Sequence, residues 1–90
     1  MTMLDIQPSA TLRRQDVVAM NTNMILSNRG LMKKDLAKAM GLSPQSMASR
    51  LQSKADWTID ETCAAADFFG VPLMALLDEN LTPAKAMEYI

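Results

Sequence analysis

Residues 29–54, RGLMKKDLAKAMGLSPQSMASRLQSK, decide how the whole chain is read. They divide into two short helical segments around one turn. In the first, Leu36, Ala37 and Met40 recur at i, i+1 and i+4, which fits one face of a helix with a period of about 3.6 residues. Gly41 follows, and glycine enters the left-handed conformation at a helix C-terminus without a Cβ penalty. Ser43 then offers a capping hydroxyl, and Pro44 suits the first helical position, where its missing N–H has no partner to lose. A connection of about three residues cannot fully reverse the chain and suits the steep crossing of a helix-turn-helix.

Upstream, the sequence predicts a helix from about Thr11 to Ser27, with Val17, Met20 and Met24 and the adjoining Val18 and Ile25 as its apolar stripe. Asn28-Arg29-Gly30 ends it, with Arg29 placed to complement the carbonyl end. Before it, Pro8-Ser9 marks a break, and Leu4 and Ile6 alternate with polar neighbours, so residues 1–10 read as an N-terminal arm. Downstream, Ser53 to Trp57 reads as a loop, and Thr58-Ile59-Asp60-Glu61 is a capping-box sequence. A helix therefore begins at Ile59 and runs to Gly70, with Ile59, Cys63, Ala66 and Phe69 predicted inward. Val71-Pro72 opens a short helix over Leu73 to Leu77. Thr82-Pro83 repeats the cap-plus-proline signature ahead of a brief helix over Ala84 to Tyr89. Met87 and Ile90 on that last helix could face the same domain or a second copy. The expectation is an all-α chain with an arm over 1–10, a helix-turn-helix domain over 11–80 and a C-terminal helix or tail over 81–90.

Size and composition bound the rest. Ninety residues suit one small domain that buries roughly 60–65% of the surface of its unfolded chain, so most of its apolar side chains are needed. Apolar residues make up 49% against four prolines and three glycines, which favours a folded helical chain over disorder. The nine methionines read chiefly as adaptable core filler. No apolar run approaches the roughly 18 residues of a membrane span. The early Asp5, and a basic pair placed after the apolar residues, are the wrong order for a secretory signal. The lone Cys63 cannot form an internal disulfide, which fits a cytoplasmic protein. The net charge of −1 hides a division. Residues 1–54 carry eight basic against three acidic side chains, net +5, and residues 55–90 carry one against seven, net −6. Such a molecule can turn its basic half to phosphates and its acidic half elsewhere.

In order, a helix ending in N-R-G, then L-x-x-x-x-L-A-x-x-M-G-L-S-x-x-x-M-x-x-R-L, W-T-I-D-E and A-x-x-F-G-V-P-L-x-x-L-L closely resembles the lambda-repressor-like, or Cro/repressor (XRE), DNA-binding family over about residues 15–78. The resemblance implies a compact five-helix lambda-repressor-like bundle, here with a short sixth C-terminal helix, whose third helix enters the major groove. It further implies a transcriptional regulator, Cro-like or a repressor, often of phage or mobile-element origin, and a homodimer on a palindromic double-stranded DNA operator. The chain departs from many members in carrying the apolar residues of the reading helix at Met47 and Leu51, i and i+4, rather than i and i+3.

On a helical wheel at about 100° per residue, Met47 and Leu51 face the core while Gln45, Ser49 and Gln52 point nearly opposite, with Ser46 and Ser53 beside them. Glutamine can pair with adenine through two hydrogen bonds, and serine can bond several base edges. Pro44 and Gln45 lie at the helix N-terminus, the end that contacts bases in this motif. Pro44, Gln45, Ser46, Ser49 and Arg50 are therefore the expected base-reading set. Arg50 stands at the edge of the core face, within reach of a phosphate first and a guanine second, or it covers apolar surface with its stem. Lys33 and Lys34 open the preceding helix, where unpaired N–H groups already favour an anion. Arg13, Arg14 and Lys54 could lengthen the same phosphate track. The plainer reading of all these residues is a solvated polar face.

An enzyme is not expected. The chain has no histidine, no glycine-rich phosphate loop and no Cys/His metal spacing, so no metal, cofactor or small-molecule substrate is implied. Cys63 and Trp57 read as packed side chains. The competing class is a protein-interaction module, antitoxin-like or anti-repressor, that grips a partner through the acidic C-terminal half or the methionines.

Overall fold

The computed structural model describes residues 12–89, and within them the chain is all-helical, with no strand. Six helices follow one another: α1 Arg14–Arg29, α2 Lys33–Met40, α3 Pro44–Leu51, α4 Ile59–Phe69, α5 Leu73–Leu76 and α6 Pro83–Met87. None is long and apolar enough to cross a membrane. The arm expected over residues 1–10 and the apolar role of Ile90 lie outside the described residues.

Local chemistry sets the helix boundaries. At the start of α1, Asp16 accepts the backbone N–H of Arg13 at 3.0 Å, so the helix begins at Arg14, three residues later than the periodicity of Thr11–Ser27 predicts. Gly41 ends α2 at φ 72° and ψ 29°, a conformation in which a Cβ would crowd the following carbonyl. The Leu42 N–H returns to the Ala37 carbonyl at 2.8 Å and the Gly41 N–H to Lys38 at 3.2 Å, which together satisfy carbonyls that the helix end would leave open. Gly30 and Gly70 close α1 and α4 in the same way. The Ser43 hydroxyl accepts the Ser46 N–H at 3.1 Å with Pro44 in the first turn of α3. At α4 the expected capping box is complete: Thr58 accepts from the Glu61 N–H at 3.0 Å, and Glu61 accepts from the Thr58 N–H at 3.1 Å.

α4 packs against α1, α2 and α5, and α1 against α3, α5 and α6. Their shared core includes Ile25, Leu36, Met47, Ala65 and Leu76, all at most 1% exposed. Leu36, Ala37 and Met40 of α2, and Met47 and Leu51 of α3, point inward as their spacing predicts.

Two stripes differ from expectation. Met20, predicted inward on α1, is 56% exposed, whereas Asn21 and Thr22 are buried. The Asn21 amide accounts for the shift: it donates to the carbonyls of Leu76 and Asp78, both at 2.9 Å, at the end of α5. A polar side chain that satisfies a neighbouring helix end belongs inside, and an apolar stripe cannot reveal it. On α4, Ile59 is 77% exposed and Cys63 only half-buried, because Thr62, Ala65, Ala66 and Phe69 form the inner face. Cys63 lies about 100° round the helix from Thr62, and the capping box holds Ile59 in the first turn, out of the core.

α6 spans Pro83–Met87 rather than Ala84–Tyr89, with Met87 54% exposed and Ala86 buried. Arg29 secures the C-terminal region. Its guanidinium donates to the Phe69 carbonyl at 2.7 Å and the Ala86 carbonyl at 3.3 Å, so it complements the C-termini of α4 and α6 rather than that of its own helix.

Candidate nucleic-acid interface

α2, the turn Gly41-Leu42-Ser43 and α3 bring one group of residues together. The Ser43 cap places Pro44 and Gln45 at the exposed tip of α3, and with Met47 and Leu51 in the core the outward face carries Gln45, Ser49 and Gln52. Gln45 and Gln52 are exposed, and Ser46 and Ser49 are half-buried. The Ser46 hydroxyl accepts a hydrogen bond from the Ser43 hydroxyl at 3.1 Å, which leaves its own proton to donate. Ser49 is less open than the wheel predicts, because the chain after α3 folds back over it. The N–H groups of Lys54 and Ala55 both reach the Ser49 carbonyl, at 2.8 and 3.3 Å. Ser53 makes that return in the left-handed region, at φ 60°, a place where the sequence offered no glycine to signal it.

Lys33 and Lys34 open α2, whose N-cap is Met32 with no side-chain hydrogen bond to the helix end. The first turn of α2 thus has no side-chain cap and carries two ammonium groups together with the Asp35 carboxylate, so the helix end and the lysines favour an anion and Asp35 opposes it. A concavity of about 220 Å³ is lined by Lys33, Lys34, Pro44, Met47 and Ala48. A second, of about 430 Å³, is lined by Lys34, Asp35, Ala37, Lys38, Leu42 and Pro44. The lysines of α2 therefore flank the N-terminus of α3. Lys38 carries one signal in the sequence, its i+4 spacing from Lys34, which puts both on one side of the helix.

The arginines behave otherwise. Arg13 pairs with Asp16 at 3.4 Å and Asp56 at 3.9 Å. Arg14 pairs with Glu79 at 2.7 Å and lines a different concavity, with Val18, Trp57 and Ile59. Arg50 is engaged most fully: its Nε and Nη2 donate to the two Glu61 oxygens at 2.7 and 3.1 Å, and its Nη1 donates to the Ser46 carbonyl at 3.2 Å. Burial of Glu61 would raise its pKa, but the Arg50 hydrogen bonds, the Thr58 N–H and the Arg50 charge outweigh it and hold the carboxyl below its usual range. Among the described residues Lys33, Lys34, Lys38 and Lys54 are exposed and form no ion pair. Of the residues expected to meet phosphate, Lys33, Lys34 and Lys54 thus form no ion pair among the described residues, as Lys38 does not, while Arg13, Arg14 and Arg50 pair with carboxylates of this chain.

Trp57 packs against the core, and its indole N–H donates to the Arg50 carbonyl at 3.0 Å. Comparison with protein-family models, with curated proteins and with solved structures found no match to this chain.

Proposed function

We propose that the protein is a sequence-specific double-stranded DNA-binding regulator of the Cro or repressor kind, acting as a homodimer in the cytoplasm and reading the major groove with α3. The observation that carries this reading is the grouping of unpaired Lys33, Lys34 and Lys38 around the exposed Pro44–Gln45 tip of a helix whose other face is locked into the core. Cations on α2 neutralise phosphates and fix register, while Gln45, with Ser46 and Ser49 behind it, meets base edges. The resemblance of residues 15–78 to the Cro/repressor pattern supports the same assignment.

A second reading, an antitoxin-like or anti-repressor interaction module, is favoured by Ile59 and Met74, which stand 77% and 71% exposed in the acidic half. Salt titration of binding to a random duplex separates the two. With four uncommitted lysines per protomer, log K is expected to fall against log salt with a slope of about −3.6 per protomer. Flat, weak binding would favour the interaction module.

A further inference from the structure

α3 is held by apolar packing of Met47 and Leu51 in the core, and its second half is held by polar side chains as well. Side chains from three other parts of the chain converge on its last turn. From α1, the Asn23 amide donates to the Leu51 carbonyl at 2.9 Å. From the loop, the Trp57 indole donates to the Arg50 carbonyl at 3.0 Å, while the Trp57 backbone N–H is held by Gln15 at 3.3 Å. From α4, Glu61 takes the Arg50 guanidinium in a two-point fork, with the two side chains only 13% and 18% exposed. The Glu61 oxygen that receives the Arg50 Nε also caps α4, so one carboxylate joins the start of α4 to the end of α3. At the other end, the Ser43 cap lies within the same turn, and Met47 and the preceding Leu42 hold the helix to the core by apolar packing alone.

Apolar packing holds the first half of α3 without fixing its direction, whereas the hydrogen bonds at the last turn are directional, so the angle of the helix is set there. Gln45 lies five residues from Arg50, about 7.5 Å along the axis at the usual rise. A tilt of about 10° at the anchor would move Gln45 by about 1.3 Å, beyond the roughly 0.5 Å tolerance of a working site. Long lysine stems can follow a phosphate over that distance, whereas a bidentate base contact cannot. We propose that Asn23, Trp57 and the Arg50–Glu61 pair form a clamp that sets the angle of α3, so that Glu61 determines sequence preference without contacting DNA and Arg50 is its strut rather than a base reader. This inference rests on the DNA-binding reading above.

The test begins with selection of a preferred duplex from a random pool by the unaltered protein, followed by binding of that duplex and a scrambled one. Glu61→Gln is the informative variant, because glutamine also completes a capping box and circular dichroism should show α4 kept. It is expected to bind the scrambled duplex as the parent does, with the same salt slope. Its preference for the selected duplex should fall at least about tenfold, and the emission of Trp57, the only tryptophan, should move to the red as the clamp loosens. Arg50→Lys, which keeps the charge and loses the fork, should reproduce that pattern and serves if Glu61→Gln folds poorly. Full preference retained by both variants would overturn the clamp. So would tighter binding of Glu61→Gln to both duplexes with a steeper salt slope, since that is the behaviour of an Arg50 freed to reach phosphate. Both results leave DNA binding standing. Absence of salt-dependent duplex binding by the unaltered protein would instead overturn the functional reading, and the clamp's role with it.

Discussion

Gln45 and Lys33 are neighbours on the same surface, and they should fail differently. Gln45 is exposed at the tip of α3, and on the proposed function it would make a two-point contact to adenine, which discriminates by about 1–3 kcal/mol. Gln45→Ala is therefore expected to weaken binding at one operator position and leave random DNA unaffected. Lys33→Ala should weaken both alike and flatten the salt slope by about 0.9. Equal losses for Gln45→Ala on operator and random duplex would remove Gln45 from the reading set. A second residue-scale effect concerns stability alone. The Thr22 hydroxyl is buried with no hydrogen-bond partner among the described residues, and an apolar side chain of the same shape removes that desolvation penalty. Thr22→Val should raise stability by about 1 kcal/mol in urea unfolding; a loss would mean that the hydroxyl is satisfied in solution. At this scale the sequence was least legible. It marked Arg13, Arg14 and Arg50 as cations but could not show that Asp16, Asp56, Glu79 and Glu61 occupy them, because the partners of Arg14 and Arg50 are brought close only by folding.

At the scale of the element, capping and periodicity were largely readable. Ser43, Thr58 and Thr82 cap the helices that their sequences announce, since a cap needs only its own next three residues. Ser43 also allows stability and binding to be separated. Ser43→Ala removes the oxygen that accepts the Ser46 N–H and should cost about 1 kcal/mol, measured by thermal unfolding. Ser43→Asp keeps an equally good cap, so it should unfold like the parent while a new negative charge beside Pro44 weakens binding to every duplex. Tight DNA binding by Ser43→Asp would place the nucleic acid elsewhere. The inner faces of α1 and α4 were harder to read. Asn21 is buried because α5 presents carbonyls to it, Thr62 is buried with its hydroxyl bonded back to the Thr58 carbonyl of its own helix, and Ile59 in the first turn is left exposed.

Across the whole molecule, ion pairs make stability depend on pH. Asp16 lies below its ordinary value through the backbone N–H of Arg13 and then its guanidinium. Asp78 is lowered by the Lys85 ammonium, 2.7 Å away, and then by the Asn80 N–H; Glu61 is lowered in net as described. A carboxylate with a lower pKa folded than unfolded contributes stability that is fully present above the unfolded value of about 4, and loses it as pH falls toward the folded value. Lys85 is raised by the same pair, so its contribution fades only as pH climbs past the ordinary lysine value of about 10.4. The melting temperature should thus stay level from neutral pH to about 5 and fall below about 4, with Glu61→Gln showing a shallower acid drop.

By itself the sequence determined the all-helical class, the number and order of the helices, the turn at Gly41 and the inward set Leu36, Ala37, Met40, Met47 and Leu51, because propensity, capping and periodicity act within a few residues of chain. Only the tertiary structure decided which cations stay free. Charges far apart in sequence, such as Arg50 and Glu61 or Arg14 and Glu79, cancel once packing brings them within about 3 Å of one another. Among the described residues, the exposed cations without an ion pair are the lysine group of α2 around the tip of α3, and Lys54.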